Sequence, residues 1–292
     1  MEMARKFVII TDTGSDLPAS YYREHDLEEI PLGYTMDGAT YGGEEGKALE
    51  VKEFYARLRN GSMPKTFQAT PEQARLHFEK HAREGKDILV LAFSSGLSGT
   101  CNSYALAARE VMEEYSASKI VVVDTRCASL GQGLFVDYVV KKADSGASLE
   151  ETAAFAKGLV PHLCHFFTVE DLYHLKRGGR VSGATAFVGT MLKIKPVLHV
   201  DDEGHLIPIG KAMGRKKSIS ALVDKMKELS TLEDGDPVFI SHGDCIEDVE
   251  YLTELIKKNF GERDIFVSEI GPVIGTHSGA GTLALFFKGQ HR

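Results

Sequence analysis

An apolar run, Ile88-Leu89-Val90-Leu91-Ala92, empties directly into FSSGLSGTCNS, a loop of small and hydroxyl-bearing residues. Helical spacing follows at once through Tyr104, Leu106, Ala107 and Val111. A buried strand that feeds a helix through such a loop restricts the fold more than any other feature of the chain. The start of a helix carries unpaired N–H groups and the positive end of the helix dipole. With Ser94, Ser95, Ser98 and Thr100 beside it, this junction suits an anionic head group such as a carboxylate or phosphate. The plainer alternative is that Ser98 caps the helix while Gly96 and Gly99 shape a turn.

The same rhythm recurs along the chain. Strands are expected at Phe7–Thr11, Ile88–Phe93, Ile120–Asp124, Phe166–Val169, Pro196–Val200, Val238–His242 and Ile265–Ile270. Helical patterns lie near 51–60, 71–84, 98–115, 129–144, 148–160, 181–193, 214–230, 246–260 and 276–287. Such alternation predicts an α/β protein with largely parallel sheets and a ligand beyond the carboxyl ends of the strands. In the first half, strands finish in TDTGSD, FSSGLSG and VVDTRCASLGQG; the second half is marked by LKRGGRVS, KPVLHV, a DDEGH turn and GRKKS. This change of texture near Gly158 and Pro161 suggests two closely packed domains, 1–160 and 161–292.

Composition narrows the class. The net charge of −8 argues against a general nucleic-acid binder. No apolar run reaches the roughly 18 residues of a membrane span, and the N-terminus lacks the features of a signal peptide, so a cytoplasmic protein is expected. Cys101, Cys127, Cys164 and Cys245 are widely spaced and form no CxxC pair, which fits a reducing compartment. His77 and His81 are four apart, but Glu79 lies on another helix face, so no metal is expected. His162 and His165 read as surface or packing residues.

Four further segments invite chemistry. Asp16 ahead of Leu17-Pro18 reads as a helix N-cap, and Asp12 is an acid without a visible partner. In MPKTFQATPE, Thr70 and Pro71 suffice to start a helix, which leaves the polarity of Thr66 and Gln68 to be explained. DLYHLKRGGRVS places cations around two glycines; they satisfy helix-end carbonyls or form a positive spot for an acidic partner, and Gly214-Arg215-Lys216-Lys217 adds more. GPVIGTHSGAG sets His277 at a glycine-rich turn before an apolar helix, Thr282–Phe287. No GxSxG elbow, Walker loop or GxGxxG is present. The chemistry therefore points to holding a ligand more than to converting it.

Five motifs in order, TDTGSDLP, PKTFQATPE, SSGLSGT, DLYHLKRGGRVSGA and GPVIGTHSGAGTLAL, resemble the DegV family of bacterial fatty-acid-binding proteins from Val8 to Phe287. The resemblance implies two α/β domains enclosing a long-chain fatty acid. It also implies a carrier, not itself an enzyme, that presents the acyl carboxylate to a separate fatty acid kinase for acyl-phosphate formation feeding phospholipid synthesis. It assigns the carboxylate to Thr66 and Ser98, with Ser95 and His277 beside them, and needs neither a fixed cation nor a metal or other cofactor. Arg177, Arg180 and Arg215 become candidates for the kinase-facing surface. Phe187, Met191, Leu192 and Ile194, with Val188 and Val197, are candidates for the acyl-chain lining. Phe67 stands where the family usually has Ser, so one hydroxyl of that loop is lost. Two other classes stay open: an acyl esterase or transferase using a serine of residues 94–98 with His277, and a small-anion sensor.

Overall fold

The computed structural model describes residues 5–170, 172–181 and 193–292. Its elements, in chain order, are β1 (Phe7–Asp12), α1 (Ala19–Glu24), β2 (Leu27–Ile30), β3 (Gly33–Met36), β4 (Ala39–Gly42), α2 (Val51–Arg59), β5 (Lys65–Phe67), α3 (Pro71–Ala82), β6 (Asp87–Ala92), α4 (Thr100–Glu114), β7 (Ile120–Asp124) and α5 (Leu130–Asp144). There follow α6 (Leu149–Leu159), β8 (Leu163–Thr168), α7 (Tyr173–Gly178), β9 (Ile194–Val200), β10 (Leu206–Met213), α8 (Arg215–Leu229), β11 (Val238–His242), α9 (Ile246–Phe260), β12 (Ile265–Glu269), α10 (Pro272–Ser278) and β13 (Leu283–Lys288).

The first sheet, in the order β2-β1-β6-β7, is parallel throughout. Strands β1 and β6 are apolar on both faces, while the edge strand β2 carries Glu28 and Glu29, and successive residues point opposite ways. Ile10, Ile88, Val90 and Ala92 pack with Phe78 of α3 and Tyr104, Ala107 and Val111 of α4. Ile9, Leu89, Leu91 and Val123 pack on the other side with Leu134, Phe135 and Val139 of α5 and Ala153 and Ala156 of α6.

The second sheet runs β10-β9-β8-β13-β11-β12. Here the parallel expectation fails. Only β11–β12 is parallel, and the other four pairings are antiparallel. One cause is β13, which the sequence pattern suggested was a helix. LALFF is a short continuous apolar run, and periodicity cannot separate a buried helix from a central strand. As a strand it sends Ala284 and Phe286 to the α5 side, and Leu283, Leu285 and Phe287 to the side of α8 and α9. The other cause is β10, which the sequence reading missed; it pairs with β9 behind the tight turn at Gly204.

The layers therefore stack as α3/α4, first sheet, α5/α6, second sheet, α8/α9. The core around α5 is shared, since Phe167, Leu198, Phe239 and Phe286 of the second sheet join the same apolar cluster as Ile9 and Leu91 of the first. A third, antiparallel sheet, β4-β3-β5, carries Thr66 and rests with α2 on a cluster of Tyr34, Met36, Tyr41, Phe54 and Tyr55. Thr70 caps α3 through the Gln73 N–H, with Pro71 in the first turn, as the sequence suggested.

Candidate functional site

A cavity of about 370 Å³ opens where these layers meet. Three segments build its polar end. The loop after β6 runs to the start of α4, which begins at Thr100; the Ser98 hydroxyl accepts the Thr100 N–H at 3.3 Å and lies 3.0 Å from the Thr100 hydroxyl. Strand β5 brings Thr66 and the loop behind it Gln68, whose amide sits so close to Gly99 that a Cβ there would lie 2.2 Å from its oxygen. Helix α10 brings His277, whose Nε2 lies 2.8 Å from Thr66 Oγ1. All these residues border the cavity, as does Arg180. The remaining wall is mainly apolar, with Phe93, Phe167, Val200, Leu206, Ile274 and Phe286 prominent among a few polar residues such as Ser129 and Ser278.

Electrostatics favour an anion at the polar end. Burial, reinforced by the positive charges of Arg180 and Arg177, holds the His277 imidazole down at about 4, so it is neutral at pH 7. In the Nε2–H tautomer it donates to Thr66 and leaves the Thr66 hydroxyl free to donate into the cavity. Arg180 holds its guanidinium against the Leu97 and Gly178 carbonyls, and Arg177 donates to the Thr276 carbonyl at 3.3 Å. A cation thus borders the cavity, contrary to the expectation that hydroxyls and helix N–H groups alone would serve.

The wall beyond is tied together by buried acids. Asp16 was read as a helix cap, but α1 begins later and Asp16 adopts a left-handed φ of 53°. Its carboxylate accepts the Ser129 hydroxyl at 2.5 Å and the Gly271 N–H at 2.9 Å, joining the start of α5 to the start of α10. Burial pushes Asp16 up to about 7 and Asp12 up to about 6. Asp12, without a visible partner in the sequence, accepts from the Gly14 and Phe93 N–H groups and from Gln132.

Of the sequence candidates, the structure brings Thr66, Ser98 and His277 to one cavity. Ser95 does not join them. Its hydroxyl donates to Asp124 at 2.5 Å and it lies outside the lining. Arg180, expected on a partner-facing surface, is instead a cavity residue. Arg215 is committed internally, to Asp248 at 2.8 Å and the Gly281 carbonyl at 2.6 Å. Ile194 is half-buried on β9 and outside the lining, and Val197 packs towards α8. Phe187, Val188, Met191 and Leu192 lie outside the described residues. Phe67 lays its ring on Gly33, where a Cβ would lie 2.1 Å away.

Sequence reasoning missed Ser129, His165, Phe167, Leu206 and Phe286. The strand-end loop ASLGQG was a signal for Ser129, but nothing local marks a strand residue as facing a cavity. An esterase pairing is not formed among the described residues. His277 bonds Thr66, while Ser94 donates to the Gly204 carbonyl, Ser95 to Asp124, and Ser98 meets Thr100. The acid near His77 and His81 is Glu28 of β2, which pairs with both. Among the described residues no cluster of His, Cys, Asp or Glu is arranged to hold a metal.

Comparison with known proteins decides the family. The model of the DegV family ("Uncharacterised protein, DegV family") matches residues 6–289. The chain belongs to the DegV family. A DegV domain-containing protein of Clostridium perfringens is 43% identical over 286 residues, covering 98% of both chains. A Thermotoga maritima protein named as a fatty acid-binding protein is 35% identical over 285 residues, covering 95% of this chain and 96% of its own. A DegV family structure from Thermus thermophilus, described for its fatty acid binding, superimposes with a TM-score of 0.86 at 31% identity, covering 98% of this chain and all of that one. Like these relatives, this DegV protein keeps the family pattern over almost its whole length.

Proposed function

We propose that this DegV protein binds one long-chain fatty acid in the cavity between its two α/β domains, 1–160 and 161–292. The observation that carries the reading is the joining of one apolar cavity to a polar end made of Thr66, Ser98, Arg180 and a neutral His277. Each buried methylene contributes about 0.8 kcal/mol, so a 16-carbon tail gains roughly 10 kcal/mol before ordering costs. A buried carboxylate costs several kcal/mol unless hydrogen-bonded or paired, and the two hydroxyls, the start of α4 and Arg180 offset that cost.

The bound acid is carried rather than converted, in the cytoplasm, and its carboxylate is presented to a separate kinase that supplies ATP and metal. A polar hollow of about 360 Å³, lined by Arg59, Glu170, His174 and Ser278 among others, shares Ser278 with the acyl cavity and is the approach assigned to the phosphoryl donor. Arg177 is the residue assigned to the kinase-facing surface.

Thr66→Ala and Ser98→Ala test the head-group assignment. Each is expected to lower fatty-acid affinity about ten-fold, as loss of one hydrogen bond to a charged group predicts. Unchanged lipid occupancy in both variants overturns the assignment.

A further inference from the structure

The ionisable cluster around Glu28 lies outside the acyl cavity, and holding a fatty acid does not use it. Glu28 stands on β2, at the edge of the first sheet. His77 of α3 places Nδ1 2.6 Å from Glu28 Oε1 and Nε2 2.8 Å from Glu44 Oε1. The side chains of His77 and Glu28 are only 14% and 15% exposed, so water is a poor substitute for either partner. A neutral imidazole has one N–H and one lone pair. It donates to one carboxylate only, and its lone pair then faces the other. Both bonds form together when the ring is charged.

The surrounding charges favour that state. On α3, Lys80 bonds Glu28 at 3.0 Å, and His81 bonds it as well. On α4, Tyr104 senses Glu44, but burial keeps its phenol un-ionised. Burial would raise Glu28, yet the bonds from His77, His81 and Lys80 hold it down at about 2. Burial likewise opposes a charge on His77, but Glu28 and Glu44 outweigh it, so the imidazolium persists above its ordinary range.

Glu44 carries this chemistry to the cavity. Its segment turns out of β4 at Gly42 and Gly43, both at left-handed φ, 63° and 64°. The Gly43 N–H donates to the Leu32 carbonyl at 3.1 Å, and a Cβ on Gly43 would lie 3.7 Å from the Phe67 ring. Leu32 and Phe67 both border the cavity, and Phe67, 43% exposed, stands at its rim beside Thr66. Gln73 of α3 also holds the segment, through Glu44 at 3.1 Å and the Pro31 carbonyl at 2.7 Å. Gln73 does not titrate, whereas His77 does.

We infer that His77 is a proton-operated clamp on the rim of the acyl cavity: charged, it ties the Glu44 segment to Glu28 and keeps Leu32 and Phe67 in place; neutral, it lets Glu44 go and the fatty acid leaves faster. This rests on the fatty-acid reading. The clamp is fully present below the ordinary histidine value of 6.5 and is lost as pH rises through the higher folded value.

The test is the release rate of labelled hexadecanoic acid from the loaded full chain into excess methyl-β-cyclodextrin, measured from pH 6 to pH 9. Release from the unaltered protein is expected to speed up about five-fold, the size set by one hydrogen bond to a charged group. Titration of Asp12 and Asp16 adds a background common to all variants. His77→Gln removes the titrating ring and is expected to flatten the step. Glu44→Gln is the sharper probe. Its amide accepts from the ring N–H or donates to the ring lone pair, so a neutral His77 keeps both bonds. That variant is expected to release slowly across the whole range. A rate level with pH in the unaltered protein, or a step of undiminished size in either variant, overturns the inference and leaves the fatty-acid reading intact. Failure of hexadecanoic acid to bind the unaltered protein at any pH overturns that reading and the inference with it.

Discussion

Asp16 shows how one side chain can set a binding wall from a distance. Its two oxygens hold Ser129 and Gly271, 113 and 255 residues away in sequence. Only the fold brings those partners together, so the local pattern suggested a helix cap instead. Thr66 and Ser98 were legible because hydroxyls in excess of what capping requires are visible in a short segment. His165 was not, because nothing local marks a strand residue as bordering a cavity. Asp16 also predicts a pH dependence. Its carboxyl is raised in the folded protein, so its contribution to stability is fully present below the unfolded value near 3.8 and is lost as pH rises through about 7. Asp16→Asn keeps an acceptor for Gly271 and removes this titration. Urea unfolding at pH 5 and pH 8 is expected to show a smaller fall in stability for the variant, the difference being about 1.4 kcal/mol for each pH unit between pH 5 and the folded value. Identical falls for the two proteins contradict the assignment.

At the scale of elements, α10 is the piece on which the polar end depends. Asp16 holds Gly271, the residue just before it; Tyr55 donates to the Ile270 carbonyl at 2.8 Å; and a Cβ on Gly275 would lie 2.7 Å from the Tyr55 hydroxyl and 2.9 Å from Phe54. Tyr55 and Phe54 are fully buried and have little room to move. Gly275→Ala is therefore expected to cost about 1–3 kcal/mol in unfolding free energy and to weaken fatty-acid retention through His277. A variant as stable and as well loaded as the original contradicts this packing. The glycine-rich turn was visible in the sequence, but the helix was placed after it rather than before it. Pro272 opens α10 as proline commonly opens helices, while the apolar run beyond Gly281 belongs to the centre of a sheet. Three strands of the parallel first sheet, β1, β6 and β7, were legible because they are apolar runs separated by helical patterns, whereas the edge strand β2, with Glu28 and Glu29, was not. The short strands β3, β4 and β5 were not, since their apolar content is shared with turns.

Across the whole molecule, α5 is buried against both sheets, and the cavity lies where residues from both halves converge. Alternation of strand and helix sufficed to suggest the class and a ligand at strand ends. It could not reveal that the second sheet is mainly antiparallel, because strand direction there depends on β10 and β13. No described helix is long and apolar enough to cross a membrane. The proposed carrier role makes a whole-molecule prediction. With fatty acid, ATP and a purified fatty acid kinase, Arg177→Ala is expected to lower acyl-phosphate formation several-fold while lipid occupancy is unchanged. Equal rates remove Arg177 from the kinase-facing surface. The central claim is nearer to hand, and paired native and denaturing mass spectrometry of the purified protein tests it most directly. The account predicts one long-chain fatty acid per chain, retained in the native spectrum and released on denaturation. A protein that is empty and takes up no added fatty acid contradicts it.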